Sequence, residues 1–175
     1  MKLGVFARRF LVPAHLRTLI YFLRNRALVS PRAEVDFTPN LVLGKGVVIS
    51  AFSKIKATDG PLICGDGVMI GPGCFISSGS RGIRIGANTL IAANTVIVGN
   101  NHSYDRLDMP IKEQPLRSLG IEIGPDVWIG ANVCILDGAK IGEGVVVSAG
   151  SVVSGTIPPR MIVAGNPAKP VFERR

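Results

Sequence analysis

Few side chains set the chemistry open to this chain: its 175 residues hold two histidines and three cysteines. His102 sits in the polar run Asn100-Asn101-His102-Ser103-Tyr104-Asp105-Arg106, which offers no apolar face to pack against. Imidazole accepts and returns a proton near neutral pH, so a ring in such a run can serve as a general base. In isolation, an ordinary exposed loop histidine would look the same. A working base needs a partner on its other ring nitrogen. Asp105 is the nearest candidate in sequence, and a backbone carbonyl would serve equally. His15 belongs to a stretch with helical spacing and reads as helix surface or packing. Two histidines so far apart do not supply a three-histidine metal centre, so no metal is expected.

The elements that must position His102 show themselves as a repeat. From Phe37 onward apolar residues recur every six positions: Phe37, Leu43, Ile49 and Ile55; Cys64, Ile70 and Ile76; Ile85, Ile91 and Ile97; then Ile123, Ile129, Ile135, Ile141, Val147 and Val153. Gly follows the start in seven hexads, and the fifth position is small or β-branched, as in Val47, Thr89, Thr95 and Ala139. Each hexad therefore offers a short strand with one inward aliphatic anchor and a tight turn. The 18 Ile and 19 Val fit such strands. Extra residues follow Ile55, Ile76 and Ile97, each successive insertion coming three hexads after the last. Three sides per coil are implied, with all three insertions on one corner. The longest, about 98–120, must project as a loop, and loops of this length are usually functional or disordered. Cys64 and Cys74 fall on inward positions and read as packing, and nothing marks Cys134 as a nucleophile.

The first 36 residues follow a different rule. Leu3, Phe6, Ala7 and Phe10, then Leu16, Leu19, Ile20 and Leu23, repeat at i, i+3, i+4, i+7, with Pro13 between them. Seven of the 20 basic residues fall in the first 32 positions, and no acidic residue precedes Glu34. The formal charge of +8 thus becomes +1 over the remaining 143 residues. Two readings stay open. The segment is a helical cap whose apolar face covers the end of the main domain or a neighbouring subunit, or it is a basic amphipathic surface for anionic lipid or a lipid-linked substrate. Nucleic-acid binding is not expected, because the basic residues alternate with apolar ones and lack interleaved aromatics. The apolar runs here are five residues each, too short for a signal-peptide core or a membrane span, so free thiols in a reducing, cytoplasmic setting are expected, and under the lipid-facing reading a peripheral place at the inner membrane face. The expected division is 1–36 as the helical segment, 37–158 as the coils and 159–175 as a C-terminal tail.

Hexads of the form Ile-Gly-x-x-Val-x resemble those of the hexapeptide-repeat acyltransferases. The likeness is most specific at 85–105 (IGANTLIAANTVIVGNNHSYD), 121–138 (IEIGPDVWIGANVCILDG) and 149–169 (AGSVVSGTIPPRMIVAGNPAK). The chain looks most like the polysaccharide, O-antigen and capsule O-acetyltransferases. That resemblance implies a mainly β fold, a left-handed parallel β-helix of about five triangular coils, although parallel crossovers are otherwise right-handed. It implies acetyl-CoA as acyl donor with no metal required, a saccharide hydroxyl as acceptor, and homotrimers with sites between subunits.

Residue by residue, the resemblance makes His102 the general base and Asp105 a candidate for orienting it. The backbone N–H of Ala131 corresponds to the donor that faces the thioester, and Ala149 and Gly150 lie along the row where the family lays the pantetheine arm. Lys169 matches a position that meets the coenzyme's phosphates. Many relatives place Thr-Lys-Asp before Ile-Pro-Pro where this chain has Ser154-Gly155-Thr156, so the expectation is either a weaker coenzyme contact there or one supplied by Arg160. Trp128 corresponds to a residue at the acceptor or thioester end, unless it packs at a subunit contact, and Asn101 is expected beside the acceptor. A streptogramin- or chloramphenicol-type acetyltransferase and a non-catalytic β-helix binding protein are the competing readings.

Overall fold

The structure is a computed structural model that describes residues 12–175. The helical stripe Leu3–Phe10 lies outside the described residues. Helix α1 (Ala14–Asn25) is followed by coils of very short strands. The first coil holds β1 (Leu28–Val29), β2 (Glu34–Val35) and β3 (Leu41–Leu43), and the second β4 (Val48–Ile49), β5 (Lys54–Lys56) and β6 (Leu62–Cys64). In the third are β7 (Met69–Ile70), β8 (Phe75–Ser77) and β9 (Ile83–Ile85). The fourth runs through β10 (Leu90–Ile91) and β11 (Val96–Val98), leaves for a hairpin of β12 (Asn101–His102) and β13 (Leu116–Arg117), and returns as β14 (Ile121–Ile123). The fifth has β15 (Trp128–Ile129), β16 (Cys134–Ile135) and β17 (Lys140–Ile141); the sixth has β18 (Val146–Val147), β19 (Val152–Val153) and β20 (Thr156–Ile157). β21 (Met161–Ala164) extends the stack, and β22 (Lys169–Glu173) folds back on it antiparallel.

Every third strand stacks in register, so the coils form three parallel sheets: β1-β4-β7-β10-β15-β18-β21 with β22 at its edge, then β2-β5-β8-β11-β16-β19, then β3-β6-β9-β14-β17-β20. The inward column of the first sheet is Ile49, Ile70, Ile91, Ile129 and Val147, each opposite the next. All hexad starts except Phe37 are buried, as are the fifth positions Val47, Thr89, Thr95 and Ala139. The glycine after each anchor has a steric reason at Gly130, where a Cβ would lie 2.6 Å from the Ala149 nitrogen of the next coil. Asn88 and Asn94 take left-handed backbone at two corners (φ 58° and 59°), a role Asn tolerates better than most residues. Burial pushes the Cys64 thiol up to about 12 and raises those of Cys74 and Cys134, so none of the three is poised as a thiolate.

Six coils are present where the hexad count gives about five. The additional coil begins at Leu28, inside the stretch read as a helical segment, because Val29 and Val35 are themselves buried anchors six residues apart. Eight residues from Val35 to Leu43 break the count there. Val35, not Phe37, pairs with Ile55, and Phe37 packs edge-on against the Tyr21 ring at 5.9 Å. At the other end, residues read as a tail supply β21 and β22.

Helix α1 closes the open end of the first coil, but not with its apolar stripe. Arg17 Nη1 donates to Val35 O (3.0 Å), Thr18 Oγ1 to Val29 O (2.9 Å), and Asn25 Nδ2 to Leu43 O. These carbonyls belong to all three edge strands, which have no further coil to pair with and need donors. Buried Tyr21 lies on the same helix face. Leu16, Leu19 and Leu23 point away from the coil. The expectation that the apolar face covers the domain end is therefore corrected: unpaired backbone carbonyls select the polar face.

Candidate functional site

The three insertions leave the same corner, between the second and third sheets: β5 to β6, β8 to β9, and β11 to β14. The long one starts as the hairpin of β12 and β13, with Asn101 opposite Arg117 and His102 opposite Leu116. Several hydrogen bonds tie this loop down. Ser118 Oγ donates to Gly99 O (2.6 Å) and accepts from the N–H of Arg81 (3.1 Å). Asp137, 8% exposed, accepts from the N–H groups of Leu119 (2.8 Å) and Gly120 (2.9 Å) and so fixes the return to the coil. Farther out, buried Gln114 donates to Arg106 O (2.8 Å) and accepts from the Arg106 N–H (3.2 Å).

His102 is exposed and, among the described residues, its ring has no side-chain hydrogen-bond partner. It lines a hollow of about 400 Å³ with Asn101, Ser103, Asp105, Arg117 and Asp137. Asp105 stands in this hollow but does not bond the imidazole; its carboxylate takes Arg117 Nη2 at 3.1 and 3.2 Å. The pair is exposed, so its strength is of the order of 0–1 kcal/mol. Arg117 and Asp137 were not legible as site residues, since only the tertiary return of the loop brings them beside His102.

Ala131, Ala149 and Gly150 stack at another corner, between the first and second sheets, where the Gly150 N–H donates to Ala131 O (2.9 Å). The N–H groups of Ala131 and Ala149 donate to no backbone carbonyl among the described residues. Lys169 follows the turn that crosses the same corner, where Gly165 N–H meets Ser151 Oγ (3.2 Å) and Ala168 N–H meets Val152 O (2.7 Å). Arg160 lies elsewhere, at the corner between the third and first sheets, its N–H on Glu143 O (2.8 Å). Within one chain Arg160 is thus not brought to the Ala131–Ala149 row. Trp128 stands on the outward side of the first sheet, 53% exposed, lining a shallow hollow of about 450 Å³ with Leu90, Val146, Ile162 and Arg174. Asn101 stays with His102. The candidate base and the candidate oxyanion donor therefore occupy different corners, with the second sheet between them.

The family described as "Bacterial transferase hexapeptide (six repeats)" matches residues 120–155, and "Hexapeptide repeat of succinyl-transferase" matches residues 61–98. A protein of Mycobacterium tuberculosis named as an acetyltransferase is 36% identical over 155 residues, which are 87% of this chain and 51% of that protein. The chain thus spans about half the length of that relative. WbbJ of Escherichia coli K12, named as a lipopolysaccharide biosynthesis O-acetyl transferase, is 37% identical over 77% of this chain and 69% of its own length. Among solved structures, a variant of AntD, an N-acyltransferase from Bacillus cereus in complex with dTDP and coenzyme A, superposes with a TM-score of 0.78 at 20% identity, covering 90% of this chain and 88% of that one. This likeness shows the fold, a left-handed parallel β-helix. With its hexads stacked in such coils and its kinship to WbbJ across most of both chains, the chain belongs to the hexapeptide-repeat acyltransferases.

Proposed function

We propose that this protein transfers an acetyl group from acetyl-CoA to a hydroxyl of a saccharide, a cell-surface polysaccharide or its precursor. One observation carries the reading: a loop pinned to the coil presents an unpartnered His102 at one corner, while free turn amides line another. The acceptor hydroxyl gives its proton to the imidazole as its oxygen attacks the thioester carbonyl. The Ala131 N–H receives the oxyanion of the tetrahedral intermediate. Collapse breaks the carbon–sulfur bond, and the departing coenzyme thiolate recovers the proton from the imidazolium. Small side chains at Ala131, Ala149 and Gly150 allow the pantetheine arm to approach the backbone, and Lys169 meets its phosphates.

The separation of the two corners supports a site shared between subunits of a homotrimer. The outward residues of the first sheet form an apolar ladder, Met69-Leu90-Trp128-Val146-Ile162. From β9 to β17 those of the third sheet carry alternating charge, Arg84-Glu122-Lys140, which suits water, while Val42 and Ile63 precede them. The loop exposes Leu107, Ile111 and Leu119, apolar surface that fits a neighbouring coil. In that assembly Trp128 and Asn101 flank the acceptor, and the second sheet's neighbour brings its Ala131 row to His102. Arg160 meets the coenzyme only if the donor extends past its own row. The proposed setting is the cytoplasm, at the inner face of the membrane. The test is free thiol release from acetyl-CoA across a panel of saccharides, amino sugars and drug acceptors. Turnover confined to saccharide hydroxyls is the expected result, and turnover confined to amines or drugs would overturn the proposal.

A further inference from the structure

Among the described residues, the helix that closes the coil leaves its most apolar side uncovered. Leu16, Leu19 and Leu23, at i, i+3 and i+7, are 47%, 50% and 72% exposed, and Phe22 beside them is 47% exposed. The opposite side is occupied: Thr18, Arg17 and Asn25 are spent on the carbonyls of the first coil. The outward stripe is thus not a core face awaiting a rearrangement within the coil. Its frame is of one sign. Arg24 in the last turn of the helix, Arg26 just past it and Arg32 in the β1–β2 turn of the first coil are exposed, and the sequence holds no acidic residue before Glu34.

An occupant must offer apolar depth and negative charge together. A second copy of the same face would set a cluster of arginines against its like, which costs affinity. An anionic bilayer offers both, because the leucines enter the acyl boundary while the guanidiniums meet the headgroups. Among the described residues no helix is long and apolar enough to cross a membrane, and twelve residues lying in the interface plane do not need to.

We propose that the outward face of α1 is a docking surface for an anionic bilayer, on which the coil stands end-on. This deepens the membrane-side setting proposed above and rests on it only for location. The end-on stance follows from the helix bonding all three edge strands of the first coil. The His102 hairpin belongs to the fourth coil, three strand spacings of ~4.8 Å beyond the first, and so stands roughly 15 Å above it. An acceptor anchored in the same bilayer would be met at that height plus the thickness of α1, about 10 Å.

The experiment is co-sedimentation of the full chain with vesicles of phosphatidylcholine alone and of phosphatidylcholine with phosphatidylglycerol. Binding is expected to the anionic vesicles only, to weaken with added salt, and to fall at least ~10-fold in Leu19→Gln with Leu23→Gln. Arg24→Gln with Arg32→Gln should lower it several-fold. These side chains face outward, so melting temperature, oligomer size and turnover of a soluble acceptor should not change. No binding to anionic vesicles, or full binding by the leucine variant, would overturn the proposal. So would a smaller oligomer in that variant, since the face would then belong to another copy. Loss of acyl transfer with binding intact would count against the proposed chemistry and not against the docking surface.

Discussion

Arg117 holds the carboxylate of Asp105 through one nitrogen, at 3.1 and 3.2 Å, beside the imidazole that Asp105 would have to orient. We propose that Asp105 braces the hairpin that carries His102, acting through Arg117. Asp105→Asn and Arg117→Ala should each reduce turnover by less than the ~10²–10⁴-fold due to a lost base. Because the two share one interaction, the double variant should be no worse than the stronger single one. Steady-state rates of the three variants check this, and a loss for Asp105→Asn as large as for His102→Ala would place Asp105 on the ring itself.

Subunit sharing can be tested by mixing. His102→Ala lacks the base and Ala149→Trp blocks the coenzyme row, so each alone should be inactive. Heterologous contacts join different surfaces of neighbouring subunits, so if the proposed trimer forms, assemblies refolded from an equal mixture should regain activity in about a quarter of their sites. A mixture as inactive as its parents would put both groups in one chain.

Gly130 and Gly155 give a paired stability prediction. A methyl at Gly130 meets the Ala149 backbone at 2.6 Å, whereas one at Gly155 meets nothing within 4 Å. Gly130→Ala should lose roughly 1–3 kcal/mol in denaturant unfolding, and Gly155→Ala should stay within about 0.5 kcal/mol. Equal losses would mean that coil-to-coil spacing does not require the glycine.

Alkaline stability should report on the helix cap. Burial pushes the Tyr21 phenol up to about 12, against ~10 in the unfolded chain. Between those values the native state keeps a proton that the unfolded chain has released, so stability falls as pH rises. The contribution is intact below pH ~10, and roughly 2 kcal/mol of it should be gone by pH 12. Tyr21→Phe should remove that part of the slope in unfolding curves taken from pH 9 to 12, and an unchanged slope would refute it.

Much of the coil was legible because an inward anchor every sixth residue is a constraint on each coil separately. Ile49, Ile70, Ile91 and Ile129 could be phased without knowing what stacks on them, and the shared corner of the insertions followed from counting. The first coil was hidden by the two extra residues between Val35 and Leu43. Which side of α1 docks was hidden for a different reason. The apolar stripe suggested a hydrophobic contact, but the edge of a solenoid asks for donors, and Thr18 and Asn25 supply them. In the candidate site, His102 and Ala131 could be found by resemblance. The pairing of Asp105 with Arg117, the anchoring of the loop by Asp137, and the distance of Arg160 from the Ala131 row arise from chain reversals that no local pattern records.

The central claim is that His102 takes the acceptor's proton. It is tested most directly by the rate of thiol release from acetyl-CoA in His102→Ala, measured beside coenzyme binding to the same variant. The account predicts a fall of at least ~10²-fold in turnover with binding retained; turnover near that of the parent protein would contradict it.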